Sequence, residues 1–491
     1  MCSTSCGKLT FYTQPIIIKK QLQQMEVIMQ RVEITGRDLL SWFRGGLRGV
    51  QEQRSYLNQI NVFPVKDGDT GTNLLLTLQG MVEKSAPKDS FTDMVNELSS
   101  TGFMHARGNS GSIFASWLGG FASAFTHEQS VDVQQFTKGA TLAVDAMYSA
   151  VENPVEGTML TVIKAWTHAL EAHHDQKGRF KEVLAAAYAS AHEALEKTPQ
   201  QLPILKKYQV VDAGAKGFVA FLQGINAVIE GHVNFDEVVL EDTSESQLAF
   251  EGEESQELNY RYCTECILKS DRLPIDSLRA ILREFGDSIV VNQLKDQFKM
   301  HLHTDFPEKV METLSQYGTL SDQKADDMLM QQRLKAMLTE KGKQPIGLVA
   351  DSIADIPLAY KDEWMIHTIP LTLNMDQQSY LDKLTVKADQ VYRYLDTGKE
   401  YPSSSLPEPG RIKAMYEELL NYYDTLVVIS VSSKLSGTYD ALKRVADAFN
   451  IASKRIVVID SMTNSAAEGL IVEKAAKLID AGEHLEAIES Q

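Results

Sequence analysis

The chain has 491 residues, 43% of them hydrophobic, and a formal net charge of −18. That length exceeds what one core supports, and the apolar content is enough to build about two to four domains. The acidic balance excludes nucleic acid as the main partner, because phosphate backbones are held by clustered Lys and Arg, and apolar runs such as residues 426–429 fall far short of the roughly 18–20 needed to span a bilayer.

Cys2, Cys6, Cys263 and Cys266 are too few to staple a chain of this size, which points to a reducing, cytoplasmic setting. Residues 1–24 are mostly polar, contain the run Ile16, Ile17, Ile18, Lys19, Lys20, and lack the layout of a signal peptide. They precede Met25 and Met29, so a disordered or mis-started leader is expected over residues 1–31, with translation beginning at one of those methionines.

Residues 32–235 read as an all-helical domain. Apolar residues recur at three- and four-residue spacings, as in Leu39, Leu40, Trp42, Phe43 and Leu47 and again in Phe180, Val183, Leu184 and Ala187. Gly-, Asp- and Asn-rich punctuation separates the helices at 67–73, 107–111, 153–158 and 212–217. Residues 236–257 carry nine acidic and no basic residues, the composition of a solvated linker. Residues 258–338 mix predicted strands at 260–268, 288–292 and 298–303 with a helix at 275–285, a small α/β domain. Residues 341–345, Lys-Gly-Lys-Gln-Pro, read as a hinge. From 345 to 491, β-branched runs at 346–351, 426–431 and 456–460 alternate with helical stretches, which implies a largely parallel sheet.

The segment 61–73, Asn-Val-Phe-Pro-Val-Lys-Asp-Gly-Asp-Thr-Gly-Thr-Asn, sets Asp67 and Asp69 one residue apart in a loop running into a helix expected to begin near Thr72. Hard cations such as Mg²⁺ take carboxylate oxygens and share them with substrate phosphates. The free amides of a helix start suit those phosphates. Taken alone, an Asp-Gly-Asp is a turn with a capping Thr70 or Thr72. Two further small-residue loops, at 107–111 and 211–217, favour a phosphate site, and no Walker A motif or kinase Gly-rich loop is present.

Residues 61–73 resemble the corresponding loop of the ATP-binding subunit of bacterial fatty-acid kinase, whose first domain is similar to the nucleotide-binding domain of dihydroxyacetone kinase. Residues 107–112, 154–158 and 211–217 match its other loops in order, and the resemblance spans roughly 32–330. It implies an eight-helix barrel binding ATP and Mg²⁺ at one end. Asp67 and Asp69 would be catalytic metal ligands with Asn61 nearby, and Thr70, Gly71, Asn73, Gly108, Ser110, Gly111, Asp212 and Gly214 would line the nucleotide. Related sugar kinases carry a further aspartate near the position of Asn61, so one or two Mg²⁺ ions remain open.

In the middle domain Cys263 and Cys266 form a C-x-x-C on one strand, while His301 and His303 alternate on another so that both rings share a face. Thiolates and imidazoles together are zinc ligands. The kinase resemblance implies Zn²⁺ on Cys263, His301 and His303, with the two histidines of catalytic importance through the metal or the transfer geometry. Cys266 either completes a four-ligand site or is a small buried residue.

From Ile346 onward the chain resembles the first half of a DegV-type fatty-acid-binding protein, in residues 349–352, 369–371, 403–407, 432–439 and 458–461. The family usually has Gln where Leu406 stands. Clustered hydroxyls at strand-to-helix ends can hydrogen-bond a carboxylate while an apolar tunnel holds its tail. Ser404 or Ser405, with Ser433 or Ser436, are the expected lipid-carboxylate ligands. Serine-rich loops by themselves are turns and N-caps, and ending at Gln491 the module has about half the usual family length, so a truncated domain is expected.

The reading is therefore multidomain: a helical nucleotide-binding barrel, an α/β middle domain and a partial α/β DegV-like domain, forming a kinase that phosphorylates a fatty-acid carboxylate with ATP. A separate full-length DegV-type protein as lipid donor, and a homodimer, follow from the resemblance. Its rivals are a kinase of a small hydroxylated substrate such as dihydroxyacetone and a non-catalytic lipid-binding or regulatory protein.

Overall fold

The structure, a computed structural model, describes residues 32–66, 68–173, 179–231, 258–397, 400–450 and 455–490. The expected leader, the acidic linker 236–257 and Asp67 lie outside them. The chain divides into two compact units, Met1–Leu248 and Ala249–Gln491.

In the first unit a short antiparallel pair, β1 (Glu33–Thr35) and β2 (Ser130–Asp132), accompanies nine helices among the described residues. These are α1 (Gly36–Gln59), α2 (Thr70–Lys84), α3 (Phe91–His105), α4 (Gly108–Ala122), α5 (Val133–Ala150), α6 (Met159–His173), α7 (Phe180–Gln201), α8 (Pro203–Tyr208) and α9 (Ala213–Ile229). Each long helix packs on its successor, and α9 packs back on α7 and α1. The starts are chemically marked. Ser90 accepts from the Asp93 amide, and Asp132 and Gln135 cap one another reciprocally, which satisfies donors the helix itself cannot. The apolar faces anticipated on α1 and α7 are buried in one core, where Trp42 meets Phe136 and Phe180 edge-on.

The second unit begins with a four-stranded antiparallel sheet in the order β4-β5-β3-β6, from β3 (Tyr262–Lys269), β4 (Gly286–Leu294), β5 (Gln297–Thr304) and β6 (Thr319–Asp327). Helices α10 (Ile275–Arg283) and α11 (Pro307–Leu314) contribute Leu278, Leu282, Val310 and Met311 to a core with Cys266, Leu268, Met300 and Leu302. Strand β6 went unpredicted because its sequence, TLSDQKADD, offers only Leu320 and Ala325 as buried apolar residues.

Helix α12 (Met328–Lys341) leads into β7 (Gln344–Asp351). The hinge expected at 341–345 is corrected: only Gly342 and Lys343 separate the two elements, and Gln344 already pairs with Tyr423. The parallel sheet has the order β13-β12-β7-β8, with β8 (His367–Ile369), β12 (Tyr423–Ser430) and β13 (Arg455–Asp460). A small antiparallel sheet, β10-β9-β11, is built from β9 (Thr372–Met375), β10 (Gln378–Leu381) and β11 (Ser403–Ser405). Met375, Tyr380 and Val386, on and beside that sheet, are buried in the same core as Phe298 and Leu320 of the antiparallel sheet. No helix among the described residues is long and apolar enough to cross a membrane.

Candidate functional site

The acidic loop ends at Asp69, the N-cap of α2, so the helix starts at Thr70 rather than near Thr72. Asn58 of α1 holds that start: its Oδ1 accepts from the Thr72 amide at 3.1 Å and its Nδ2 donates to Thr72 Oγ1 at 2.9 Å. Asn61, Thr70 and Asn73 are buried. Thr77, which carries no motif signal in the sequence, joins two of the loops. Its Oγ1 donates to Asn73 O (2.7 Å) and accepts from the Arg107 amide (3.0 Å) at the start of α4.

Gly108, at φ +60°, lies so close to Asn73 that a Cβ there would stand 2.5 Å from Asn73 Nδ2. A Cβ on Gly214 would stand 2.9 Å from Ser110 Oγ and 3.4 Å from both Asp212 Oδ2 and Met159 Cβ. The N-terminal ends of α2, α4, α6 and α9 therefore abut, and the positive ends of their dipoles favour an anion.

Asp212 caps α9 by accepting from the Ala215 amide (2.8 Å), and its carboxylate also takes the Met159 amide of α6. Burial pushes its carboxyl up to about 6 against those two hydrogen bonds. Its two hydrogen bonds make Asp212 a clasp between helices. Lys66 of the acidic loop and Lys207 both approach the face of Tyr208, at 5.0 and 5.6 Å from its ring centroid. Neither Tyr208 nor these cations carried a motif signal.

In the middle sheet, Cys263 pairs with His303 and Glu265 with His301 across β3 and β5. Alternation puts all four on one face, where they are buried. One ligand atom from each of Cys263, His301 and His303 lies within 4.8 Å of the others. Burial above all pushes His303 down to about 3, so its imidazole is neutral and offers a lone pair. The donor set fits a zinc ion.

Cys266 resolves the alternative left open by the sequence. It points to the opposite face, into the apolar core, where burial pushes its thiol up. Glu265 was missed. Burial alone would raise its carboxyl, but Lys324, a hydrogen bond with His301 and Lys299 together hold it well below the usual carboxylate range. Its two-residue offset from Cys263 was the available signal.

In the parallel sheet, β7 has β8 on one side and β12 on the other, and such a reversal opens a crevice outside the carboxyl ends of the strands. Asp351 ends β7 there and accepts from Ser430 Oγ (3.0 Å) and the Val431 amide (2.8 Å). Ser404 and Ser405 lie on strand β11 of the small sheet, ahead of a helix at Pro409–Leu419, and Ser405 Oγ accepts from Asn374 Nδ2 at 2.9 Å. Ser433 donates to Asp460, and Ser436 Oγ lies 2.8 Å from Thr438 Oγ1 at the start of a helix, Thr438–Asn450. The two serine groups are neighbours nonetheless, since a Cβ on Gly437 would stand 3.4 Å from Leu406 Cδ1.

Residues 64–227 match the DAK2 domain, residues 259–335 the FakA-like middle domain of fatty acid kinase, and residues 345–491 the DegV family. Three domain families meet in this chain. The DAK2 domain holds the abutting helix starts, the middle domain holds the Cys-His-His cluster, and the DegV-family domain holds the parallel sheet.

Among curated relatives, the chain is similar to Protein YloV of Bacillus subtilis, 28% identical over 73% of this chain and 69% of the relative. It is also similar to Uncharacterized protein MG369 of Mycoplasma genitalium, 29% identical over 60% of this chain and 56% of the relative, and to Uncharacterized protein SH1689 of Staphylococcus haemolyticus, 31% identical over 61% and 56%. The chain thus spans little more than half the length of several relatives it matches. Among solved structures, it is similar to DegV, a fatty acid binding protein from Bacillus subtilis, at 32% identity and a TM-score of 0.28, covering 30% of this chain and 52% of that one. A DegV family protein from Thermus thermophilus matches at 28% identity with the same TM-score, covering 30% and 51%.

Proposed function

We propose that this protein transfers the γ-phosphoryl group of ATP to the carboxylate of a fatty acid, giving an acyl phosphate and ADP. The observation that carries the reading is the co-occurrence, in one chain, of a DAK2 domain whose helix starts abut beside Asp69, a fatty-acid-kinase-type middle domain and a DegV-family domain. We take the closed sequence of helix packings as the eight-helix barrel of the dihydroxyacetone-kinase type.

A carboxylate oxygen forms a bond to the γ-phosphorus while the bond to the β,γ-bridging oxygen breaks, and ADP departs with that electron pair. The acceptor is already ionised at neutral pH, so no general base is required; positioning and charge neutralisation supply the acceleration. Asp69, with Asp67, would hold Mg²⁺, which neutralises phosphate charge when bound. The positive ends of α2, α4, α6 and α9 orient the phosphates, with Thr70, Asn73, Ser110 and Gly214 around them. The serines of the DegV-family domain are assigned to the fatty-acid carboxylate, Ser404 and Ser433 through their exposed positions.

The test is oleate-dependent ADP release from Mg-ATP by the purified chain. Asp69→Asn should lower the rate by about 10²-fold or more, the scale on which losing one transition-state charge contact acts. ADP release that ignores oleate would contradict the fatty-acid acceptor.

A further inference from the structure

We infer that Glu265 is a positioning residue for a metal ion held by Cys263, His301 and His303: its carboxylate takes the Nδ1 proton of His301, so that the ring meets the ion through Nε2. The inference rests on reading that trio as a metal site and goes beyond it by fixing which atom of His301 binds and what holds it there.

The geometry begins in the strand register. Glu265 lies directly across from His301 on the neighbouring strand, two residues along from Cys263 and on the same face. Its Oε1 stands 3.1 Å from His301 Nδ1, inside the range of an N–H···O hydrogen bond. Both side chains are buried, at 4% and 2% exposure, so water does not compete for the contact.

A neutral imidazole has one N–H and one lone pair, whereas an ionised carboxylate only accepts. Pairing Nδ1 with Glu265 therefore places the proton on Nδ1 and the lone pair on Nε2. The Cys263 sulfur, 3.7 Å from the same Nδ1, is the weaker acceptor. His301 Nε2 is buried and has no hydrogen-bond partner, an arrangement that costs stability unless an electron-poor centre meets that lone pair. The trio whose ligand atoms converge within 4.8 Å is Cys263, His301 and His303, and Glu265 makes a polar contact with it at His301 Nδ1. A carboxylate behind a ligating histidine fixes the tautomer, holds the ring plane and raises the basicity of the binding nitrogen.

The test uses the full chain, stripped of metal and titrated with zinc against a chromophoric chelator. Glu265→Gln keeps the shape of the side chain and all three ligands, so one zinc per chain should still bind, about 10–100-fold more weakly than in the unmutated protein. A merely structural role would instead shift the urea midpoint of the metal-free protein and leave the affinity of the folded protein unchanged, which would overturn the inference. The unmutated chain gives a reading independent of whether the variant folds: in the zinc-loaded form, ¹⁵N-histidine NMR should find the His301 proton on Nδ1 and none on Nε2. A proton on Nε2 would overturn the inference as well. Failure of the unmutated chain to bind zinc would remove the metal site itself, whereas equal zinc affinity in both forms would remove only the role of Glu265.

Discussion

At the scale of single residues, close contacts hold the end of the acidic loop, and one buried carboxyl in the DegV-family domain sets a pH dependence. A Cβ on Gly71 would fall 2.4 Å from Arg54 O and 2.9 Å from Asn58 Oδ1, so Gly71→Ala must push α2 away from α1. A cost of about 1–3 kcal/mol is expected from that overpacking, read as a lowered urea midpoint, together with weaker ATP binding because Asp69 moves with the helix start. Glu468, on the helix Ser465–Asp480, is 0% exposed. Burial and the adjacent charge of Asp351 push its carboxyl up to about 9. The folded state therefore keeps a proton that the unfolded chain releases near pH 4.5, and stability falls as pH rises from that value towards 9. Glu468→Gln carries no such proton. Thermal unfolding should show the variant gaining on the unmutated chain between pH 5 and pH 8; a difference independent of pH would contradict the assignment.

At the scale of elements, the strand β3 that carries Cys263 is anchored by Arg261 just before it. The guanidinium donates to Asp327 Oδ2 (2.9 and 2.5 Å) and to both carboxylate oxygens of Asp362 (2.8 and 2.6 Å). Asp327 in turn caps α12 through the Met330 amide (3.0 Å). Arg261→Met would leave two carboxylates facing each other with no cation between them, at a cost on the order of 2–4 kcal/mol. Hydrogen exchange should speed up in residues 262–269 and 358–363 together; a change confined to one of them would show that Arg261 does not couple them. The strands 262–269, 286–294 and 297–304 were legible because their apolar residues alternate or run unbroken, and α1 and α7 because theirs recur at helical spacing. Strand β6 and the small sheet were not, since Ser, Asp, Lys and Asn dominate them and their pairing is decided by partners distant in sequence. The same limit hid Glu265 and Thr77, whose contacts, at 36 and 30 residues' separation, appear only once the chain is folded.

At the scale of the whole molecule, the middle and DegV-family domains share a core, with Met375 and Tyr380 of the small sheet buried beside Phe298 and Leu320 of the antiparallel one. The strand β11 that carries Ser404 and Ser405 belongs to that small sheet, so these two of the proposed lipid-carboxylate residues are tied to the middle domain by packing rather than by a tether. The three-domain order was legible from loop motifs, because residues 61–73 and the Cys and His strands carry chemistry at fixed spacing. The packing of the last two domains against one another was not, because it depends on contacts between residues about 60–80 apart that no local pattern marks. The most direct test of the central claim is to incubate the purified chain with Mg-ATP and oleate and trap the product with hydroxylamine. The account predicts an acyl hydroxamate that requires ATP and disappears in Asp69→Asn, with or without an added full-length DegV-type protein. Absence of hydroxamate in both conditions, from a chain shown to bind ATP, would contradict it.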